Sequence, residues 1–473
     1  MKKFILIVVT VLSTLTLSAQ KKNYTLEECV RMALEKNINI KQTELDIDNA
    51  RNDQWVAKQA FLPNLNVQSQ HIWNNGLSQN ITNGLIENLT TQFSSLGASA
   101  GVTLFNGRQN FNQLYRANLN VLARQYQLDD IKDNTSLFVA NAYLQIMFNR
   151  ELEQVQRYQL ELTKAEYERT QNLIQAGVLT GSDLYDIEAN VAEREQALIQ
   201  AENAYRLARI SLAQLLLITD YENFDIAEED FAIPFSEILN ETPKSIFNKA
   251  LSFRNDIKLG ETNIEIAKKD IDLAKGNLLP SLNAFYSYNT RISYSDRSIS
   301  SGVLEDFPIG VVRSSGEVVV TQVPQREVVG PLPFGDQFTQ NDGHSFGLSL
   351  NIPVFNGSNA RSAIKRSQIN LERVQNQLEQ TKLTLESNIN QAYNDASGAF
   401  KVYEATQKTL LAREEAYKVA QNRYSAGVMN SFDFIIAQQR YQIAASDIVR
   451  AKFDYIFKLK VLEFYFGLTL NAK

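Results

Sequence analysis

Phe105-Asn106-Gly107 and, seventy residues on, Ala176-Gly177-Val178 bracket a stretch, 108–176, that holds neither proline nor glycine. The same triplets return as Phe355-Asn356-Gly357 and Ala426-Gly427-Val428, with only Gly398 interrupting the stretch between them. Proline and glycine punctuate almost every loop, so two such tracts predict two very long helices. At ~1.5 Å per residue each makes a rod of about 105 Å, longer than a globular core can bury. Each Ala-Gly-Val predicts a tight reversal between antiparallel helices, with Gly in the left-handed conformation.

Both triplets are displaced by 250, and Ala142-Tyr143 falls on Ala392-Tyr393 in the same register. Upstream the displacement is 217: Ala33-Leu34 falls on Ala250-Leu251, Ile40-Lys41 on Ile257-Lys258 and Leu62-Pro63 on Leu279-Pro280. The difference is a 33-residue insertion between Pro280 and Phe355. The chain therefore reads as a duplicated unit: a leader over 1–19, a first repeat over 20–233, a linker over 234–245, and a second repeat over 246–473 with a longer loop, 296–342. Leu114, Val121 and Leu128 recur as Ile364, Leu371 and Leu378, and the second series continues to Leu385, Ala392 and Ala399. Beyond the turns, Leu184, Val191, Leu198, Tyr205 and Leu212 match Phe434, Tyr441, Ile448, Tyr455 and Leu462. Spacing by seven predicts coiled-coil seams.

Four short stretches alternate instead with period two: 64–73, 96–105, 282–294 and 346–355. They predict strands of roughly 10 residues with one apolar and one polar face, as a membrane barrel with a wet lumen requires. A half-buried soluble sheet would show the same alternation. Tyr and Trp near the strand ends fit an aromatic girdle. Four strands cannot close a membrane barrel, which needs about 8 at least, so several chains must share one. The segment 296–342, with Val311-Val312-Arg313 and Val318-Val319-Val320 flanking Ser314-Ser315-Gly316, predicts a projecting hairpin loop on the outer side.

Met1-Lys2-Lys3, the uncharged run Phe4 to Leu17 and the exit Ser18-Ala19 form an export signal, the run being short for a membrane anchor. Its removal takes the formal charge from −6 to −8. A mean hydropathy of −0.26 excludes a bundle of transmembrane helices, and a pI near 5.4 without a basic stretch argues against nucleic acid as a partner. One Cys, Cys29, and two His, His71 and His344, leave little material for a disulfide framework, a zinc site or a thiol nucleophile. These residues, with Trp55 and Trp73, are expected to pack rather than react. No phosphate loop, Ser-His-Asp order or metal-ligand spacing is present, so neither an enzyme nor a cofactor is expected.

In Pro353-Val354-Phe355-Asn356-Gly357, and in Tyr424-Ser425-Ala426-Gly427-Val428 followed by Asp433, the chain resembles the TolC-like outer-membrane efflux proteins, the outer membrane factors. The resemblance covers essentially the whole chain after the leader. It implies a mainly α fold with a membrane β-barrel: a homotrimer whose chains each give four strands to a 12-stranded barrel, continued by a long antiparallel α-helical coiled-coil tunnel in the periplasm. It further implies the outer-membrane exit duct of a tripartite efflux pump or type I secretion system, set in outer-membrane lipid. Such a duct docks by its helix tips on a periplasmic membrane-fusion adaptor and through it serves an inner-membrane transporter. An exported coiled-coil structural protein or adhesin-like trimer without a conducting channel is the competing reading, against which the gapless duplication and the strands between long helices argue.

The resemblance also implies site residues. Asp433 matches an acidic ring that narrows the tunnel, and Ile436 stands where a second ring is sometimes acidic. Tyr424 matches a tip tyrosine of the closed state, while Met429 holds the place of a basic partner. Gly177, Val178, Gly427 and Val428 form the tips for closure and docking, with Asp183 and Asp186 as first-repeat acids. Phe105, Asn106, Gly107, Phe355, Asn356 and Gly357 are strand-to-helix elbows. For Asp183 and Asp433 the bland alternative is helix N-capping, which Asp after a Gly turn favours.

Overall fold

A threonine with a glutamate three residues on begins the first helix: the Thr25 hydroxyl accepts from Glu28 N, and Thr25 N donates to the Glu28 carboxylate. The computed structural model describes residues 23–79, 85–177, 180–227 and 237–468. In chain order these form β1 (Asn23–Tyr24), α1 (Leu26–Lys36), α2 (Ile38–Gln59), β2 (Asn64–Gln79), β3 (Ile86–Asn106), α3 (Gln109–Gln175), α4 (Ser182–Leu215) and β4 (Asp225–Ile226). After a 3-10 turn (Glu237–Asn240) come α5 (Pro243–Phe253), α6 (Asn255–Gly276), β5 (Ser281–Ser293), β6 (Arg297–Val311), β7 (Val318–Val329), α7 (Phe334–Gln340), β8 (Gly343–Asn351), α8 (Asn359–Ser425) and α9 (Ser431–Phe466). The leader 1–19, Val178 and the first residues of the 234–245 linker lie outside the described residues.

The duplication is carried into the elements. Helices α1 and α5 have 11 residues each, α2 and α6 have 22, and α3 and α8 have 67, with starts displaced by 217, 217 and 250. The chain forms two compact units that cut across the repeats, one from 1–51, 118–267 and 370–473 and the other from 52–117 and 268–369.

In the first unit, the seven-residue stripes point inward. One apolar cluster joins Cys29 and Ala33 of α1 to Tyr143 and Ile146 of α3, Leu212 of α4, Ile226 of β4 and Ile456 of α9. The other joins Ile246 and Ala250 of α5 to Leu378, Leu385, Ala392 and Ala399 of α8 and to Tyr455 and Leu462 of α9. Burying such a large side chain is worth about 1.5–3 kcal/mol. Cys29 is fully buried, and its repeat counterpart Ile246 is too, so the thiol acts as apolar filling.

In the second unit, four strands form one antiparallel sheet in the order β2-β3-β5-β8. β2 and β3 have 16 and 21 residues, longer than the alternating stretches that predict them, because backbone pairing continues past the apolar alternation. β8 ends earlier than predicted, at Asn351, ahead of Pro353, which has no N–H to give a ladder. Within 296–342 β6 and β7 pair as a hairpin in a separate two-stranded sheet, and α7 follows. The buried Gln337 of α7 accepts from Ser293 N and donates to Ser293 O, so its amide pairs with β5 beyond the reach of β8.

The elbow at Gly107 is the tightest backbone passage in this unit. Its φ is +65°, and a Cβ there would lie 2.4 Å from the Gly276 carbonyl oxygen and 2.9 Å from Leu279 Cβ. At Gly357, with φ +63°, a Cβ would meet nothing within 4 Å of the chain. Gly302 has a φ of +79°, and a Cβ there would also meet nothing within 4 Å, so Gly302→Ala should cost only the left-handed penalty of about 1–2 kcal/mol, with Gly107→Ala costing more through the clash. The yield of folded protein in isolated outer membranes should drop more for Gly107→Ala than for Gly302→Ala; equal yields would contradict the tight passage.

Candidate functional site

The helical turns are built alike. Gly177 and Gly427 have φ of 75° and 71°, and their N–H groups close onto Ile174 O and Tyr424 O. Val428 N reaches back to Arg423 O, and the Val428 side chain is 75% exposed.

Neither aspartate predicted here caps a helix in the N-cap position. Asn430 caps α9, accepting from Asp433 N at 2.7 Å, while its amide donates to Asp433 Oδ2 at 3.0 Å. Asp433 thus sits in the first turn with an exposed carboxylate. Gly181 holds the N-cap position of α4, and Asp183 instead accepts from the backbone and hydroxyl of Thr180. Its other oxygen accepts from Ser431 Oγ at 2.6 Å, tying the first turns of α4 and α9 together. That hydroxyl, with Thr180, holds the Asp183 carboxyl below the usual carboxylate range. Ile436 is half-buried one turn into α9, and Asp186 is exposed on α4.

Tyr424 is fully buried rather than displayed. Its ring stacks on Phe434 at 4.6 Å, its hydroxyl lies 3.1 Å from Thr170 Oγ1, and Met429 packs against the same cluster. Burial pushes the phenols of Tyr424 and Tyr417 upward, so both stay neutral hydrogen-bonding groups.

Above the turns the seam between the repeats is polar, which the apolar stripes alone do not predict. Gln159, Thr163, Glu166 and Thr170 of α3 are all buried. Gln159 donates to Gln442 O at 3.0 Å, Gln421 donates to Glu166 at 2.7 Å, and Asn190 donates to Gln438 at 3.1 Å. The signal was their spacing of four, three and four, a core spacing filled with polar residues.

The sheet has two chemical faces. Leu65, Ala100, Tyr286 and Phe346 stand in one cross-strand row, and Asn66, Ser99, Ser287 and Ser345 stand in the next row on the opposite face. Phe285 departs from the alternation and lies against Gly347 on the polar face. Both histidines lie on the apolar face among aromatic rings: His71 is 4.1 Å from the Trp73 ring, and His344 Nδ1 is 2.8 Å from the Tyr286 hydroxyl. Trp73 is exposed on β2, as Trp55 is on α2. Phe105 and Asn106 end β3 and Gly107 follows, whereas Phe355, Asn356 and Gly357 lie between β8 and α8; Asn106 Oδ1 accepts from Asn110 N in the opening turn of α3. No helix among the described residues is long and apolar enough to cross a membrane.

A family model described as outer membrane efflux protein matches residues 29–216 and 246–467. The pyoverdine export outer membrane protein OpmQ of Pseudomonas aeruginosa is 24% identical over 75% of this chain, and the outer membrane protein TolC of Vibrio cholerae is 19% identical over 69%. The chain spans 65% and 66% of the lengths of these two relatives. Among solved structures, the outer membrane protein VceC of Vibrio cholerae superposes with a TM-score of 0.74 at 14% identity, over 94% of this chain and 97% of that one.

The Asp183 bonds yield a pH prediction. A carboxyl whose native pKa is depressed stabilises above its unfolded value and loses that contribution as pH falls through the native value. Asp183→Ala should cost about 1 kcal/mol, read as faster amide exchange around Thr180–Tyr185 at pH 7. The ratio of variant to wild-type exchange should fall towards one in strong acid; an unchanged ratio would refute the charged bond.

Proposed function

The chain belongs to the outer membrane efflux protein family, and on that premise we propose that it serves as the passive exit duct of a tripartite efflux pump or type I secretion system. The observation that carries this reading is the two-faced sheet with open edges at β2 and β8. Lipid tolerates no open edge, so other chains complete the sheet. Eight strands enclose a space that side chains fill, whereas the Asn, Gln and Ser face calls for a wider, wet lumen. Three chains with four strands each supply it, as the family resemblance implies.

As the resemblance implies, the helices supply the periplasmic tunnel. At ~1.5 Å per residue, α3 and α8 each extend about 100 Å, a length suited to crossing the periplasm. The turns meet the membrane-fusion adaptor, with Val428 and Phe432 as exposed apolar contacts and Gly427 giving close approach. Tyr424 and Met429 support that surface from beneath. Gly177, Asp183 and Asp186 supply the first-repeat side of the same end. Asp433 forms the constriction with Ile436 beside it: three carboxylates around an axis favour cations and resist anions. The duct contributes no catalysis, and energy comes from the inner-membrane transporter.

Detergent-purified protein should migrate as a trimer and open channels in planar bilayers; a soluble, non-conducting monomer would overturn the duct reading. Asp433→Ala should raise conductance or abolish block by divalent cations. If both properties stay as in the wild type, Asp433 is not the constriction.

A further inference from the structure

In the four-stranded sheet the two repeats meet at one joint, and the duplication defines a second joint of the same design. In the first, β3 of repeat one pairs antiparallel with β5 of repeat two, Ala98 facing Tyr288 and Ser99 facing Ser287. Arg116 Nε donates to Asp270 Oδ1 at 2.6 Å, and Gly107 packs on the Gly276 carbonyl. Across the repeat, with displacements of 250 and 217, β3 becomes β8 and β5 becomes β2. Arg116 becomes Arg366, Asp270 becomes Asp53, and Gly107 becomes Gly357, so Arg, Asp and Gly all recur.

Within one chain this second joint is unfilled. β2 and β8 are the two edges of the sheet. Arg366 is exposed and bonds Ser362 of its own helix, and Asp53 is exposed with no ion-pair partner among the described residues. The space at Gly357 is open.

We propose that a second copy of this chain fills the joint in the register that the in-chain joint dictates. β8 then pairs with β2 of the neighbouring chain, Leu348 facing its His71, Ser349 facing its Gln70 and Ser345 facing its Asn74. Arg366 bonds Asp53 of that neighbour. The inference rests on the shared-barrel reading and adds its register.

Three independent features agree with it. First, the register sets apolar face against apolar face, Phe346 meeting the neighbour's Trp73, whereas a slip of one residue would reverse every side chain. Second, all nine residues of β8 find partners inside β2. Third, the irregularity between Thr103 and Phe105 of β3 maps onto Pro353 to Phe355, and proline is tolerated where a ladder is already broken. One polar contact changes kind: Asn255 donates to Asp133, while the counterparts Ile38 and Leu383 are apolar and 56% and 53% exposed, a pair suited to bury each other.

Paired cysteines test this, with buried Cys29 left in place and single variants as controls. In one chain, positions 70 and 349 are three strands apart, about 14 Å or more, beyond a disulfide, so any link joins two chains. Q70C/S349C and N74C/S345C should oxidise to covalent trimers in isolated outer membranes, with Q68C/S349C and I72C/S349C linking several-fold less. Preferential linking of an off-register pair would overturn the register and leave the shared barrel standing. No link from any pair in folded protein would overturn both. Arg366→Asp and Asp53→Arg should each lower the trimer yield, and their combination should restore it; failure to restore refutes the ion pair.

Discussion

A strand edge placed in hydrocarbon presents a row of N–H and C=O groups with no water to satisfy them, each costing several kcal/mol. In the proposed duct the β2-β3-β5-β8 sheet has two such edges, and much else in the chain answers to them. Duplication supplies matching edges, since β2 and β5, like β3 and β8, are copies. Left-handed turns at Gly107 and Gly357 send both copies directly into helices of equal length. Where β5 outruns β8, the side-chain amide of Gln337 stands in for a strand.

The helical unit divides its cohesion by chemistry. Around Tyr143 and Ile389 the packing is apolar, at about 1.5–3 kcal/mol for each large side chain buried. Near the turns, Thr170, Glu166 and Gln438 meet their partners through hydrogen bonds, worth about 1 kcal/mol net apiece. Segments held this way open locally at lower cost than a dry core. Tyr424 and Phe434 add a stacked aromatic pair at the end of that seam.

Features that depend on local chemistry were legible in the sequence. The long helices follow from missing proline and glycine, the turns from Gly177 and Gly427, and the two-faced strands from alternation. What escaped depends on partners distant in the chain. Asp183 and Asp433 occupy equivalent places in the repeat, yet one bonds across to Ser431 and the other folds back on Asn430. Residue type could not separate them. Gln159, Thr163, Glu166 and Thr170 stand at core spacing, but spacing alone does not identify their polar partners on α8 and α9. In 296–342 the valine-rich flanks marked the hairpin but not α7, whose Gln337 bonds β5 44 residues away in the chain.

That hairpin bears on how such a chain can change over time. β6 and β7 form their own sheet, and Gln337 ends β5 independently of them. Leu332 O also accepts from Gln337, so it is the residues between Arg297 and Val329 that can be lengthened, shortened or replaced while the pairing of the four-stranded sheet stays as it is. A hairpin that pairs only with itself is thus where the chain can vary in sequence and length while the pairing of the four strands stays fixed.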